Sequence, residues 1–140
     1  MRLWHYKLIP VLPNKMLVSQ WRECIAIKRQ WEKGTLKHPL VSYVMNYDKL
    51  YFLRYVELVV NELNKRKIKH QKKYYDELFD FCYYPFHIVE LEEKDNFIYK
   101  EHNNRYLAQC YYNLEEKYDR GIITLEEKFK INEKLGEMLD

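Results

Sequence analysis

Two adjacent charged side chains, Arg22 and Glu23, lie in a segment whose apolar spacing predicts a helix. The apolar residues Leu3 and Trp4 indicate that the chain begins as ordered structure, directly behind the α-amine of Met1. A guanidinium binds phosphate oxygens through a planar fork of donors, and a carboxylate moves protons at a strength set by its burial. An α-amine, with an ordinary pKa of about 7.7–8.0, is neutral enough near pH 7 to act as a nucleophile. Folded together, these three groups favour chemistry on a nucleic-acid sugar.

The spacing of Arg22 and Glu23 also fits an ordinary solvated charge pair, and from spacing alone this is the better interpretation. The two side chains point about 100° apart on a helix. Both reach the same groove only if one edge of the apolar stripe formed by Leu17, Trp21 and Cys24 opens onto it. The chemical interpretation therefore depends on the elements around this helix.

Helical spacing of apolar residues runs almost throughout the chain, and three glycines and four prolines interrupt it at only a few points. We therefore predict an all-α fold, a single compact domain of four to five helices that spans residues 1–140. The helices are predicted over about residues 13–33, 47–67, 102–119 and 124–139. Residues 38–45 read as an apolar connector. The aromatic stretch 74–86 is interrupted by Pro85, and residues 87–91 are too few to assign.

The predicted helices carry end signals and apolar faces. Asn14 is the expected N-cap of the first helix, and Gly34 is its expected left-handed stop. Thr124 and Glu127 form a capping box that opens the last helix. The side chains expected on the apolar faces are Leu17, Trp21, Cys24 and Ile25 in the first helix, with Lys28 as a candidate fifth member, Leu50, Leu53, Val56, Val60 and Leu63 in the second, and Leu107, Cys110, Tyr111, Leu114 and Tyr118 in the third.

The net charge of +3 is divided unevenly along the chain. Residues 1–73 carry 16 Lys or Arg against 5 Asp or Glu, whereas residues 74–140 carry 8 against 16. A basic first half favours a polyanionic partner, because basic side chains replace the counterions condensed on phosphates. Neutralisation of one half by the other explains the split equally well. The basic run 65–73, which Tyr74 and Tyr75 follow, fits a surface that binds phosphates and stacks a base. It also fits a solvated helix terminus, and this interpretation is slightly favoured.

Other features bear on compartment and cofactors. The three cysteines lack C-x-x-C spacing and no secretory leader is present, so a reducing cytoplasm is the expected location. The apolar stretches are too short to cross a bilayer, so no membrane partner is predicted. The five histidines show neither H-E-x-x-H nor paired spacing, so we predict no metal site and no cofactor. His5 is of interest because it lies near the Met1 amine, whose protonation it could tune.

Three stretches of the sequence resemble one known family. They read Leu-Val-Ser-Gln-Trp-Arg-Glu at residues 17–23, Tyr-Asp-Lys-Leu-Tyr-Phe-Leu-Arg at 47–54 with Glu-Leu at 57–58, and Met-Arg-Leu-Trp-His at 1–5 with Leu-Ile-Pro at 8–10. The first two are similar to the pyrimidine-dimer DNA glycosylase family, which includes phage endonuclease V, and the third to its short bacterial members. The second stretch is the most specific match, and a weaker similarity covers residues 101–117.

The resemblance implies a compact all-helical enzyme that flips a nucleotide out of a damaged duplex and attacks its sugar with the N-terminal amine. A Schiff base then displaces the base and permits strand cleavage by β-elimination. The implied function is that of a DNA repair N-glycosylase with abasic-site lyase activity. The family uses a threonine amine that is exposed by removal of the initiator methionine. Here Arg2 is too bulky for that removal, so Met1 is expected to be retained and its amine to replace the threonine amine.

Single residues match the family's functional positions. Glu23 falls on its catalytic glutamate, which assists sugar opening and proton transfers, and Arg22 falls on an arginine that grips the deformed backbone. Taken together, the residues and the resemblance assign catalysis to Met1 and Glu23, and DNA contacts to Arg2, His5, Arg22, Lys28 and Arg29. The expected partner is damaged double-stranded DNA, bound by a monomer without a cofactor or metal.

Three departures from the family favour an alternative function. A family histidine falls on Met16, and the family's second helix arginine falls on Ala26, for which Lys28 and Arg29 are the expected substitutes. The family's basic, aromatic C-terminal tail is replaced by an acidic segment that ends at Asp140. A noncatalytic helical module of the same fold, which binds DNA or a protein, is the alternative.

Overall fold

The computed structural model describes residues 1–83 and 99–139. In these two ranges, the five α-helices are α1 (Asn14–Lys33), α2 (Lys49–Lys65), α3 (Lys72–Tyr83), α4 (Asn104–Asp119) and α5 (Leu125–Leu139), and the two 3-10 helices are Tyr6–Val11 and Ser42–Asn46. Neither range contains a strand, which confirms the all-α prediction for the part of the chain described. Pro85 and the unassigned segment 87–91 lie outside the described residues.

Helix α1 ends as predicted but begins differently. Gly34 adopts the left-handed conformation, with φ of 73°, and its N–H donates to the Trp31 carbonyl at 3.0 Å. The predicted N-cap Asn14 is instead the first helical residue, and the N-cap is Pro13, which makes no side-chain capping bond. The reason is tertiary, because the Asn14 Oδ1 atom accepts a hydrogen bond from Arg66 at 2.9 Å.

Arg66, which follows α2, ties the start of α1 to the end of α2. Its Nη1 donates to the Leu12 carbonyl at 2.6 Å, and its Nη2 donates to the Pro10 carbonyl at 3.0 Å. Its Nε donates to the Glu62 carboxylate at 2.8 Å. A guanidinium has five N–H donors, so one side chain can serve several carbonyls that lack helical partners. This arrangement fixes the first 3-10 helix relative to α2.

Helix α2 is the centre of the fold, since it packs against α1, α3 and both 3-10 helices. It begins two residues later than predicted because the Asp48 side chain caps it by accepting from the Leu50 N–H at 2.9 Å. It ends before Lys67, whose φ of 59° is left-handed. Four of its five predicted core residues are buried, whereas Leu50 is only half-buried. The sequence pattern missed three further buried side chains of α2, which are Phe52, Tyr55 and Val59.

The remaining helices follow their local signals closely. Helix α4 begins after Asn103, whose Oδ1 accepts from the Tyr106 N–H at 2.9 Å, so the predicted first residue His102 lies just outside it. The capping box of α5 is confirmed in both directions. The Thr124 N–H donates to Glu127 Oε1 at 2.8 Å, and the Glu127 N–H donates to Thr124 Oγ1 at 3.1 Å. Helix α5 packs on α4 and on the first 3-10 helix.

The three cysteines, Cys24, Cys82 and Cys110, are unbridged and belong to the hydrophobic core, where none is more than 5% exposed. Burial raises the pKa of the Cys82 thiol to about 12 and raises the pKa of Cys24 and of Cys110 as well. A thiol in this state is a small apolar side chain and not a nucleophile.

Within the described ranges, none of the helices is both long enough and apolar enough to span a membrane.

Candidate active site

The first residues of the chain are ordered against α1, α2 and α4. Leu3 and Trp4 are 0% and 7% exposed, whereas Met1 is 38% exposed at the surface. The Tyr106 hydroxyl of α4 donates to the Leu3 carbonyl. The Tyr55 hydroxyl of α2 donates to the Trp4 carbonyl at 2.7 Å. The backbone directly behind the terminal amine is therefore held from two sides.

Gln20 of α1 joins residues 1–6, the opening segment of the chain, to Glu23. Its Oε1 accepts from the Trp4 N–H at 2.8 Å, and its Nε2 donates to the Arg2 carbonyl at 3.0 Å. The same Nε2 donates to Glu23 Oε2 at 3.1 Å. Gln20 is completely buried, and Oε1 also lies 3.0 Å from the Tyr55 hydroxyl. One amide nitrogen thus bridges the second residue of the chain and the half-buried Glu23 carboxylate.

Arg2 lies on the side of this segment that faces α4. Its guanidinium carbon is 5.6 Å from the centroid of the Trp4 ring, within the range of a cation–π contact. Burial raises the pKa of the Tyr106 hydroxyl, and the charge of Arg2 opposes that rise. Arg2 as a whole is partly exposed, and its side chain also interacts with Tyr106 and Cys110 of α4.

Two buried histidines, His5 and His102, accept hydrogen bonds from the backbone near the opening segment. His102 Nδ1 accepts from the Tyr6 N–H at 3.1 Å, which leaves Nε2 as the protonated atom of a neutral ring. Nε2 therefore donates to the Tyr43 hydroxyl, 2.7 Å away. His5, 1% exposed, accepts from the Lys7 N–H through Nδ1 at 3.1 Å, and its ring centroid is 5.4 Å from that of His102.

Both histidines are held in the uncharged form. Desolvation lowers the pKa of His5 to about 4, although hydrogen bonds to the backbone of His102 and Asn103 oppose the shift and the charge of Lys7 adds to it. Desolvation and the neighbouring His5 lower the pKa of His102 to about 3. In the part of the chain that the structure describes, no group of three or more His, Cys, Asp or Glu side chains is arranged to hold a metal ion.

The three basic residues predicted on α1 have different surroundings. Arg22 is exposed, next to Glu23. Lys28 is 6% exposed and lies 3.2 Å from Glu32 and 3.5 Å from Glu77. Arg29 is half-exposed, and its Nε and Nη2 donate to the two Glu77 oxygens at 3.2 and 3.3 Å. These hydrogen bonds, together with the charge of Lys28, lower the pKa of Glu77.

The structure therefore groups the predicted residues into two sets. Arg2 and Glu23 meet through Gln20, with Met1 and Arg22 adjacent to them in sequence, whereas Lys28 and Arg29 converge on Glu77 of α3.

Sequence reasoning assigned no role to four polar side chains around the opening segment, Gln20, Tyr55, His102 and Tyr106. Gln20 had a signal, because it is a polar residue one turn from Leu17 and Cys24 on a stripe that is otherwise apolar. His102 and Tyr106 had none, since they come from a segment about a hundred residues further along the chain.

Comparison of the sequence with known proteins identifies its family. The sequence model of pyrimidine dimer DNA glycosylase matches residues 1–76, which contain the opening segment, all of α1 and α2, and the start of α3. No curated protein and no solved structure matches the chain. The match covers more than half of the chain and includes all three stretches that resemble the family. The chain therefore belongs to the pyrimidine dimer DNA glycosylase family, whose function is DNA repair.

Proposed function

We propose that the protein is a DNA repair N-glycosylase with abasic-site lyase activity, which acts on damaged duplex DNA of the pyrimidine-dimer type through the α-amine of Met1. The observation that carries the proposal is the bridge from the Arg2 carbonyl through Gln20 Nε2 to the Glu23 carboxylate. The bridge supports the proposal because it connects the Glu23 carboxylate to Arg2, the neighbour in sequence of the residue that carries the proposed nucleophile. Met1 is 38% exposed, in contrast to the buried Leu3, which supports an amine that a substrate can reach.

In the proposed reaction, the Met1 amine is the nucleophile and the Glu23 carboxylate transfers protons. The Met1 nitrogen attacks the sugar carbon C1′, and the bond from C1′ to the base breaks with its electron pair leaving on the base, which is then protonated. Loss of a proton from the nitrogen and opening of the sugar ring give an imine between Met1 and C1′. Removal of a C2′ proton expels the 3′ phosphate and cuts the strand, and water finally releases the amine. Glu23 accepts and returns the protons in these steps.

The basic residues have different roles in the proposal. Arg2 and Arg22 contact phosphate oxygens on either side of the flipped nucleotide, a role that suits guanidinium groups on one exposed and one partly exposed residue. Arg29 offers its remaining donors from the same helix. Lys28 and His5 are 6% and 1% exposed, so they reach DNA only if a local rearrangement exposes their side chains.

Borohydride reduction tests the mechanism, because it converts the imine into a stable covalent bond. Untagged protein is incubated with a duplex that contains an abasic site or a pyrimidine dimer, and the reduced adduct is mapped by peptide mass analysis. We expect the adduct on Met1. Glu23→Gln is expected to slow its formation by about 10²-fold or more, whereas Glu32→Gln, the same change at the other end of α1, leaves the rate unchanged. Failure of the wild-type protein to form any adduct would remove the Schiff-base mechanism.

One observation favours the noncatalytic alternative. Glu77 engages both Lys28 and Arg29, the residues expected to replace the arginine that the family has at Ala26. Salt-dependent binding to the abasic duplex without strand cleavage and without an adduct would select a DNA-binding module.

A further inference from the structure

A second surface feature lies on the other side of Arg22 from Glu23. It is a groove of about 410 Å³ between α1 and the chain that leads from α2 into α3. The α1 wall carries Val18, Arg22, Ile25 and Arg29, which follow one another at intervals of four, three and four residues. This spacing puts all four side chains on one face of the helix.

The two arginines of this wall are separated by two helical turns. Seven residues of helix rise about 10 Å, which is about three nucleotide steps of one strand at 3.4 Å per step. Arg22 is exposed, and Arg29 is half-exposed despite its bond to Glu77. The wall can therefore present two cations to one strand of DNA.

The opposite wall is formed by the connector before α3 and by the first turn of that helix. Lys69 is exposed there, and Tyr74 stands between two cations, 5.7 Å from the Arg29 guanidinium carbon and 5.0 Å from Lys73 Nζ. Gln71, also in the lining, directly precedes α3. The first backbone N–H groups of a helix lack helical partners and carry a partial positive charge, which adds to the charge of the lysines.

The charge of the groove has one sign. Among the described residues that line it, none is acidic. Glu77 neutralises part of the Arg29 charge from outside the lining, but no ion pair within the described ranges involves Arg22 or Lys69. The groove adjoins the proposed site in one residue, since Arg22 lines the groove and is also a proposed phosphate contact of that site.

The geometry points to the groove between α1 and residues 69–74 as the binding track for the phosphate backbone of the duplex beyond the damaged nucleotide, with Lys69, Arg22 and Arg29 as its cations. The inference rests on the proposed function in taking DNA as the ligand. It adds a contact surface in the α2–α3 connector that the reacting groups do not require. Each phosphate neutralised in the track releases a condensed counterion, so the track has a measurable effect on the salt dependence of binding.

Fluorescence anisotropy titrations over a range of salt concentrations test the track. The probe is a duplex with one tetrahydrofuran residue, which mimics an abasic site but cannot form an imine. We expect Lys69→Gln to reduce the slope of log Kd against log salt by about 0.9 and to weaken binding about 5- to 10-fold near 0.1 M salt. Lys69→Arg keeps the charge and should retain the wild-type slope. Lys130→Gln, which removes an exposed lysine of α5, is the matched control.

The result is decided independently of the chemistry. A wild-type slope in Lys69→Gln, or an equal loss in Lys130→Gln, would overturn the track. Borohydride trapping is measured separately with the wild-type protein, because it reports on the reacting groups and not on the slope. A reduced slope in a protein that forms no adduct would support the track while removing the proposed mechanism. Normal trapping by the wild-type protein, with an unchanged slope in Lys69→Gln, would support the proposed mechanism and overturn the track.

Discussion

The buried amide of Gln20 occupies a position that an apolar helix stripe would ordinarily give to leucine or isoleucine. It is completely buried and makes hydrogen bonds in three directions, to the opening segment, to α2 and to Glu23. A buried polar group is stable only when its hydrogen bonds are satisfied. The free-energy cost of burying the Gln20 amide is therefore offset by the same hydrogen bonds that orient the N-terminal residues.

We predict that Gln20→Met, which keeps the volume of the side chain and removes its hydrogen bonds, slows single-turnover borohydride trapping by about tenfold or more. A misplacement of about 1 Å is enough for a loss of this size. The Trp4 N–H also loses its acceptor, so the free energy of unfolding should fall by about 1–3 kcal/mol. Gln30→Met, a similar change on the same helix, should alter neither quantity. Trapping at the wild-type rate by a folded Gln20→Met protein would contradict the positioning role.

Single residues were predictable only where their partners are near in sequence or their type is chemically distinctive. Arg22 and Glu23 were identified as an adjacent pair within a matched stretch. The surroundings of Lys28 and Arg29 were not predictable, because Glu77 lies 48 residues beyond Arg29 on a different helix. Their assignment as DNA contacts stays a prediction, as does that of His5.

At the level of helices, the ends with local signals were predicted well. Gly34 stops α1 through its own backbone conformation, and Thr124 and Glu127 cap α5 within one turn. Asn14 was wrong as an N-cap because the competing donor, Arg66, is 52 residues away. The basic run 65–73 was treated as one feature, whereas the structure divides it between the end of α2, a connector and the start of α3.

Substitution of Arg66, which is partly exposed, should destabilise the fold more than substitution of other residues at the surface. We predict that Arg66→Met lowers the free energy of unfolding by about 2–3 kcal/mol, because hydrogen bonds from a charged donor to several carbonyls are lost together. Lys65→Met, next to it in sequence but exposed, should change stability by less than about 0.5 kcal/mol. Urea unfolding followed by circular dichroism gives both values. Equal midpoints for the two variants would show that Arg66 does not hold the 3-10 helix to α2.

At the scale of the whole molecule, the uneven charge had two interpretations, and the structure contains an instance of each. Glu77, from the acidic half, pairs with Lys28 and Arg29 from the basic half. Arg22 and Lys69 are exposed around the groove in which no described lining residue is acidic. The composition alone could not distinguish these outcomes, since both use the same residue types and differ only in packing.

The buried histidine pair makes the stability of the molecule sensitive to acid. Unfolding returns His5 and His102 to an ordinary pKa of about 6.5 from folded values of about 4 and about 3. Because the folded pKa values are depressed, their contribution is complete above pH 6.5. It is lost as the pH falls from 6.5 towards 3. We expect the free energy of unfolding to fall in this window by up to about 1.4 kcal/mol per pH unit for each histidine.

A pair of matched variants isolates this effect. His5→Asn retains an acceptor for the Lys7 N–H but cannot titrate, so the pH dependence of the urea midpoint should become shallower. His38→Asn is the control, because His38 Nδ1 makes the same type of contact with the Leu40 N–H, at 3.2 Å, but at the surface. An unchanged slope in His5→Asn would show that the buried ring does not titrate on unfolding.

The deep placement of all three cysteines has a practical consequence. Their thiols are shielded and strongly protonated at neutral pH, so maleimide reagents should leave the native protein unmodified. Ser19→Cys, at an exposed position next to Gln20, would then supply the sole attachment point for a spin label or dye. Spectroscopic distances from that label to a marked oligonucleotide would locate the bound duplex without removal of any native cysteine.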